Sequence, residues 1–143
     1  MKARSVEGLD PAAPLRANAV RIVATRLAEL RDLAEPALAA EAAGAQHDLR
    51  IATKRLRYVL ELTEGCFGPA AVAARTLAKQ LQGVLGDIHD CDVMLPSAGG
   101  TASLQTHLRT RRELLFKEFT ELWHEHAEAT WLALQRELAI SAS

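Results

Sequence analysis

The chain has 143 residues, of which 49% are apolar and 24% charged, a balance typical of one folded domain rather than a disordered chain. Its 17 Lys and Arg residues nearly cancel its 18 Asp and Glu residues, so any charge-based binding must come from a local arrangement of charges. Two cysteines, Cys66 and Cys91, do not form a disulfide framework and predict a reducing compartment. No apolar run reaches the roughly 20 residues that cross a bilayer, and no apolar segment follows Lys2 and Arg4 as in a secretory signal. We therefore expect a soluble intracellular domain.

Helix-breaking residues divide the sequence into four long pieces rich in Ala, Leu, Glu and Arg, which are strong helix formers. The breakers are Asp10-Pro11, Gly44-Ala45-Gln46, Gly65 to Pro69, and Pro96 to Thr101. No piece alternates apolar and polar residues for long enough to be a strand. The pattern predicts an all-α fold, an antiparallel four-helix bundle with up-down-up-down order. We expect a single domain over residues 1–143, in which residues 1–11 form a flexible N-terminus.

The first predicted helix carries apolar residues at helical spacing, and Pro36 is expected to end or kink it near Glu35. Arg26 falls on its apolar face. Asp92 falls in the same way on the apolar face of the third predicted helix. We expect these two residues to form an internal Arg–Asp pair.

The second predicted helix, about Gln46 to Glu64, has one basic sector and one apolar sector. The basic sector holds His47, Arg50, Lys54 and Arg57, with Arg55 on its flank. The apolar sector holds Leu49, Ala52, Leu56, Val59, Leu60 and Thr63. Like charges one turn apart destabilise a helix by a few tenths of a kcal/mol per pair, about 0.2–0.5, and an anionic ligand would reverse that effect.

The third predicted helix, about Ala70 to Leu95, repeats this arrangement. Its polar face holds Arg75, Lys79, Gln82, Gly86 and His89, and its apolar face holds Leu77, Leu81, Val84, Leu85 and Ile88. Gly83 and Gly86 leave bare backbone on or beside the polar face. Either a ligand or a closely packed helix would explain these two glycines.

The fourth predicted helix, about Ala102 to Ala139, begins with His107, Arg109, Arg111 and Arg112. Arg109 and Arg112 point toward its apolar arc. They either extend past that arc to solvent or line the same anionic site as the other two helices.

Two stretches of the sequence resemble the motifs of one family, the CHAD domain (conserved histidine α-helical domain). His47-Asp48-Leu49-Arg50-Ile51-Ala52-Thr53-Lys54-Arg55-Leu56-Arg57 is similar to the family's first motif. Leu81-Gln82-Gly83-Val84-Leu85-Gly86-Asp87-Ile88-His89-Asp90-Cys91-Asp92-Val93 is similar to its second. Lys79 stands where the family has a basic residue ahead of the second motif. The resemblance extends over about residues 15–125.

This resemblance implies a non-enzymatic helical domain that binds inorganic polyphosphate or another phosphate-rich polyanion, without cofactor or metal, in the cytoplasm or at polyphosphate granules. The implied binding residues are His47, Arg50, Lys54, Arg55, Arg57, Lys79 and His89. Arg75, Arg109 and Arg112 are added from their positions on the helices. Family members commonly have two four-helix halves, so this chain either completes its groove as a homodimer, which we expect, or binds more weakly as a half-site.

Other functions remain open at this point. The basic sectors could be solvated helix faces, or could bind nucleic acid, although the sequence shows neither exposed aromatic residues for base stacking nor a recognised reading motif. The pairs His47-Asp48 and His89-Asp90 suggest a metal-dependent phosphohydrolase, but adjacent residues on a helix diverge by about 100°. A plain helical interaction module is the remaining alternative.

Overall fold

The computed structural model describes residues 2–99 and 101–142, which are helical in four long stretches. The helices are α1 (Leu15–Ala37), α2 (Ala43–Leu62), α3 (Pro69–Ser97), α4 (Ala102–Leu122) and α5 (Glu128–Ala142). A short 3₁₀ turn, Glu64–Cys66, follows α2, and a π-helical segment, Trp123–Ala127, joins α4 to α5 without a break. The predicted all-α fold with four long helices is confirmed, and the described residues contain no strand. Met1, Gly100 and Ser143 lie outside the description.

The helix ends follow from local backbone chemistry. Pro69 occupies the first turn of α3, where its missing N–H leaves no hydrogen bond unmade. Gly99 has a φ of +50°, the left-handed conformation that commonly ends a helix and that glycine adopts without strain. Pro36 lies in the last turn of α1, which ends at Ala37, two residues later than the sequence predicted.

One predicted boundary is wrong. Gly44-Ala45-Gln46 was expected to break the chain, but these residues lie in the first turn of α2. The buried side chain of Gln46 donates to the carbonyl oxygens of Ala37 (3.2 Å) and Ala39 (2.9 Å). The side chain of Gln46 thus satisfies carbonyl groups at and just after the end of α1, and it connects this end to the start of α2.

The core forms where the predicted apolar faces meet. Every residue of the predicted apolar faces of α2 and α3 is buried, except Val59, which is half-buried. Phe119 of α4 and Trp131 of α5 complete this core. Burial of one stripe per helix leaves the opposite faces of α2 and α3 free for polar residues.

The helices pack in neighbouring pairs: α1 on α2, α2 on α3, α3 on α4 and α5, and α5 on α1. Near the start of α3, the backbone N–H of Ala71 donates to Glu137, which lies near the end of α5 (3.0 Å). Contacts of this kind are expected between antiparallel neighbours, and the up-down-up-down order stays a prediction. None of the described helices is both long and apolar enough to span a bilayer.

The segment before α1 contacts that helix. The backbone N–H of Arg4 donates to Glu29 (2.8 Å), and its guanidinium pairs with Asp32 (2.7 Å). Asp10 and Asn18 exchange two hydrogen bonds, of 3.0 and 2.7 Å. These bonds connect the segment to α1, and the flexibility expected for residues 1–11 stays a prediction.

The predicted Arg26–Asp92 pair is wrong because each side chain has a nearer partner. Arg26 lies 3.5 Å from Glu29 on its own helix and donates to the carbonyl of Arg4 (3.0 Å). Asp92 pairs with Arg112 of α4. Both charges are compensated, but on different sides of the bundle.

The π-helical segment interrupts what the sequence predicts as one regular fourth helix. Here the ring of Trp123 lies 6.4 Å from that of Phe119 and 6.2 Å from that of Trp131, measured between centroids. A π-helical turn holds an extra residue and so shifts the apolar face of the helix at this point, which the helical period of the sequence does not reveal.

Candidate functional site

The polar faces of α2 and α3 meet along one seam of the bundle. The imidazole rings of His47 and His89 stack with centroids 4.5 Å apart and planes inclined by 25°. One turn along the seam, Nε of Arg50 lies 3.7 Å from the position a Cβ on Gly86 would occupy. We call this seam the basic groove. Its lining residues are His47, Arg50, Lys54, Arg57, Lys79 and His89.

The two contacts set the register of the rest of the groove. Along α2 the residue number rises from His47 to Arg50, while along α3 it falls from His89 to Gly86. Continuing by one helical turn on each helix brings Lys54 level with Gln82, and the following turn brings Arg57 level with Lys79. The helical period thus predicts that the two basic sectors run side by side beyond the two observed contacts.

Unpaired buried polar atoms concentrate in this seam. Within the described part of the chain, four buried side-chain polar atoms have no hydrogen-bond partner: His47 Nδ1, Arg57 Nε, Gln82 Oε1 and Trp131 Nε1. Three of the four belong to the basic groove or its floor. Buried polar groups are almost always hydrogen-bonded in native proteins, so these atoms are unusual, although Nε of Arg57 still lies 3.6 Å from a carboxylate oxygen of Glu61.

An aromatic side chain lies at the rim of the groove. Tyr58 is 42% exposed, with the guanidinium of Arg57 4.7 Å and the ammonium of Lys54 5.7 Å from its ring centroid. The sequence predicts no exposed aromatic residue, and Tyr58 shows that this prediction is wrong. Its position one turn after Lys54, outside the apolar sector, is the signal that could have revealed it.

The far end of the groove is partly neutralised. Arg75 pairs with Glu64 at 2.8 Å, and Nε of Arg57 lies 3.6 Å from a carboxylate oxygen of Glu61. Both acids are exposed, and exposed ion pairs contribute only about 0–1 kcal/mol. An anion can therefore exchange with these carboxylates at small energetic loss, whereas Lys79 is exposed and has no ion pair among the described residues.

Arg55 lies outside the basic groove. Its guanidinium reaches Glu29 of α1 at 3.3 Å, on the side of α2 that packs against α1. Glu29 is only 2% exposed, so this contact compensates a buried carboxylate. Adjacent helix positions diverge by about 100°, which explains why Lys54 and Arg55 serve different surfaces.

Arg112 is also engaged within the fold. It donates to both carboxylate oxygens of Asp92 (2.5 and 3.2 Å), to the side chain of Gln46 (2.6 Å) and to the carbonyl of Ala40 (2.8 Å). Arg109 and Arg112 line a cavity of about 460 Å³, and none of the groove residues takes part in its lining. Arg112 is thus committed to contacts within the fold, and Arg109 lines a cavity to which no groove residue contributes.

The geometry of the groove disfavours the metal-site interpretation. Within the described ranges, no group of three His, Cys, Asp or Glu residues is arranged to hold a metal ion. The imidazole lone pairs lie in the ring planes, and the planes of His47 and His89 are nearly parallel. Two stacked rings do not converge on one ion.

A protein-family model, described as the CHAD domain, matches residues 2–96. The chain belongs to the CHAD family. The match contains α1, α2 and nearly all of α3, and so contains the whole basic groove, whereas α4 and α5 lie beyond it. It begins earlier and ends earlier than the expected range of about 15–125. No curated protein and no solved structure matches the chain.

Proposed function

We propose that this chain binds inorganic polyphosphate, or a comparable phosphate-rich polyanion, along the basic groove without chemically changing it. The CHAD family is associated with polyphosphate binding and is typically non-catalytic. The observation that carries the proposal for this chain is the register of α2 and α3, in which Arg50 lies against Gly86 and His47 against His89.

The spacing of the cations suits a linear chain of phosphates. Arg50, Lys54 and Arg57 lie three or four residues apart on one helix, about 4.5–6 Å of rise, and Lys79 faces them from the other helix. Arginine donates two parallel hydrogen bonds to phosphate oxygens, and lysine adds a mobile positive charge. An extended polyanion can therefore contact successive turns of both helices, which a single small phosphate cannot do.

We also propose that two copies complete the site as an isologous dimer. Val93 follows His89 by one turn on the same face of α3 and is 57% exposed, and Leu62 at the end of α2 is 82% exposed. A partner that covers these apolar side chains would bring a second set of basic residues to the same polyanion.

The two free cysteines, Cys66 and Cys91, and the family support a cytoplasmic location, including polyphosphate granules.

Long-chain polyphosphate should be titrated into the purified protein at several salt concentrations, with pyrophosphate as the short control. We expect long chains to bind and their affinity to fall by about tenfold or more between about 50 and 200 mM salt, because binding releases counterions. Arg50→Glu and Lys79→Glu should each reduce affinity by about tenfold to a hundredfold, the worth of a charge-assisted hydrogen bond.

The matched control is Arg136→Glu, which makes the same charge change at an exposed position of α5 away from the groove. Absence of binding at low salt, or an equal loss in Arg136→Glu and Arg50→Glu, would contradict the proposal. Release of phosphate from polyphosphate on addition of a divalent metal would contradict its non-enzymatic part.

Nucleic acid is the second candidate ligand because of Tyr58. This exposed ring is beside Arg57, and bases stack on both aromatic rings and guanidinium planes. Competition between single-stranded RNA and polyphosphate tests the two candidates. If RNA displaces polyphosphate at equal phosphate concentration, and Tyr58→Ala abolishes that advantage, nucleic acid becomes the favoured ligand.

A further inference from the structure

The stacked histidines occupy one end of the basic groove, and the polyphosphate proposal makes no use of their chemistry. Histidine is the side chain that ordinarily changes charge between about pH 5 and 8. The rings of His47 and His89 are both half-buried, 4.5 Å apart, and Nδ1 of His47 has no hydrogen-bond partner. A group of this kind responds to any charge that binds beside it.

At this stacking distance, the charge on one ring acts directly on the other ring. One imidazolium stacked on one neutral imidazole places a cation on an aromatic ring, which is favourable. A second proton would place two like charges 4.5 Å apart, and the guanidinium of Arg50, one turn along α2, would repel both. Asp48 and Asp90 are next in sequence to the rings, but adjacent helix positions diverge by about 100°, and Asp90 lines a cavity together with Arg111 of α4.

Neighbouring elements bring charges of both signs near this stack, including His107 and Arg111 of α4, which line a cavity with Asp90. α4 contributes Arg112, whose charge is compensated by Asp92 of α3. The connection between α1 and α2 contributes Glu41, which lines the cavity beside that pair, and the last turn of α1 contributes the exposed Glu35. Among the groove residues, Arg50 is the cation that follows the stack along α2.

We propose that polyphosphate binding is coupled to the uptake of one proton by the His47–His89 stack, so that the groove binds its ligand more tightly as the pH falls from 8 to 6. The inference rests on the proposed function. A phosphate oxygen placed over the rings offsets the repulsion from Arg50 and provides an acceptor for an imidazolium N–H. By linkage, a ligand that promotes protonation is itself bound more tightly when protons are abundant.

The magnitude follows from the proton count. Uptake of one proton raises the association constant by at most about tenfold per pH unit, and the gain is confined to the range in which histidine titrates. Long-chain polyphosphate is the appropriate probe because its internal phosphates are strongly acidic and keep their charge throughout this range.

The test measures the affinity of the full chain for long-chain polyphosphate at about pH 6, 7 and 8 at constant salt. Calorimetric titration in two buffers of different ionisation enthalpy counts the protons taken up. The variants are His47→Gln, His89→Gln and the double substitution, which keep polar side chains that do not titrate. The matched control is His124→Gln, an exposed histidine in the π-helical segment.

We expect the wild type and His124→Gln to gain about tenfold or more in affinity between pH 8 and pH 6, with close to one proton bound, and the double variant to lose this dependence. Wild-type binding that is equally tight at both pH values overturns the coupling and leaves the polyphosphate proposal standing. An undiminished pH dependence in the double variant also overturns it. No binding at any pH would refute the polyphosphate proposal itself, and the coupling with it.

Circular dichroism verifies that each variant is folded. If the double variant is unfolded, the imidazole proton resonances of the wild type provide the answer. Their titration midpoints must move to higher pH when polyphosphate is added, and unchanged midpoints overturn the proposal.

Discussion

Arg112 and Asp92 face each other with two parallel hydrogen bonds, Nε–H to Oδ1 at 2.5 Å and Nη2–H to Oδ2 at 3.2 Å. The side chains are 13% and 23% exposed, so the pair lies in the contact between α3 and α4. The same guanidinium reaches the buried Gln46 of α2. Arg112 therefore connects three helices, a structural role where its helix position had suggested ligand binding.

Arg112→Gln should lower the free energy of unfolding by about 2–4 kcal/mol, because it leaves a partly buried carboxylate and a buried amide without their donor. Urea denaturation measures the loss. Arg109→Gln is the control, since Arg109 is exposed and has no ion pair among the described residues, and it should change stability by no more than about 0.5 kcal/mol. Equal losses in the two variants would contradict this role.

Substitutions of Arg55 and Arg50 should have different effects, the first on the stability of the fold and the second on polyphosphate affinity. Arg55→Gln removes a partner of the buried Glu29 and should destabilise the fold by about 1–3 kcal/mol. Arg50→Gln should destabilise it much less but should reduce polyphosphate affinity more than Arg55→Gln does. Denaturation and binding titration of the two variants test the assignment. A larger loss of affinity in Arg55→Gln would place Arg55 in the binding surface after all.

The space around Gly83 and Gly86 shows whether close helix packing or an open ligand surface explains these two glycines in α3. A Cβ on Gly83 would meet no atom within 4 Å, and one on Gly86 would meet only Nε of Arg50 at 3.7 Å. Neither glycine is required by a packed helix, so the packing explanation is wrong. Each substitution by Ala should stabilise the helix by about 0.5–1 kcal/mol.

The same two substitutions probe the groove. The methyl group of Gly86→Ala would lie beside Arg50, where we place the polyanion, and should reduce polyphosphate affinity. Gly83→Ala serves as the matched control for the gain in helix propensity. Identical affinities in the two variants would argue against ligand contact at Gly86.

Because of Cys91, the free energy of unfolding should depend on pH in the alkaline range. Burial, as the largest cause, raises the pKa of the Cys91 thiol above its ordinary value of 9.0. The folded state then holds this proton at pH values where the unfolded state has released it, so stability should fall as the pH rises above 9.0. Urea denaturation between neutral pH and about pH 10 measures this decline, and Cys91→Ala should reduce its slope.

The dimer is directly measurable. Sedimentation or light scattering at high micromolar concentration should give a particle of two chains, and Leu62→Glu or Val93→Glu should shift it toward one. A protein that is strictly monomeric with and without polyphosphate would refute the dimer. It would leave a single groove as the binding site.

The helical class, the four long helices and the apolar faces of α2 and α3 could be predicted from the sequence, because they depend on the spacing of residues along one helix. Leu56, Leu81 and Ile88 were assigned to the core from this spacing and are buried. His47 and Arg50 were placed on a common face of α2 by the same reasoning. Such assignments need only the helical period.

Only the tertiary structure decided which faces meet. The period places Arg55 beside the basic sector of α2, but packing of α1 onto α2 brings it to Glu29. The helical period likewise places Arg112 on the inner side of α4, where Asp92 and Gln46 accept hydrogen bonds from its guanidinium. Side-chain direction within a helix is local, whereas the partner that a charge finds depends on the rotation of one helix against another. The stack of His47 on His89 depends on that rotation and on the register of α2 and α3, which the helical period does not specify.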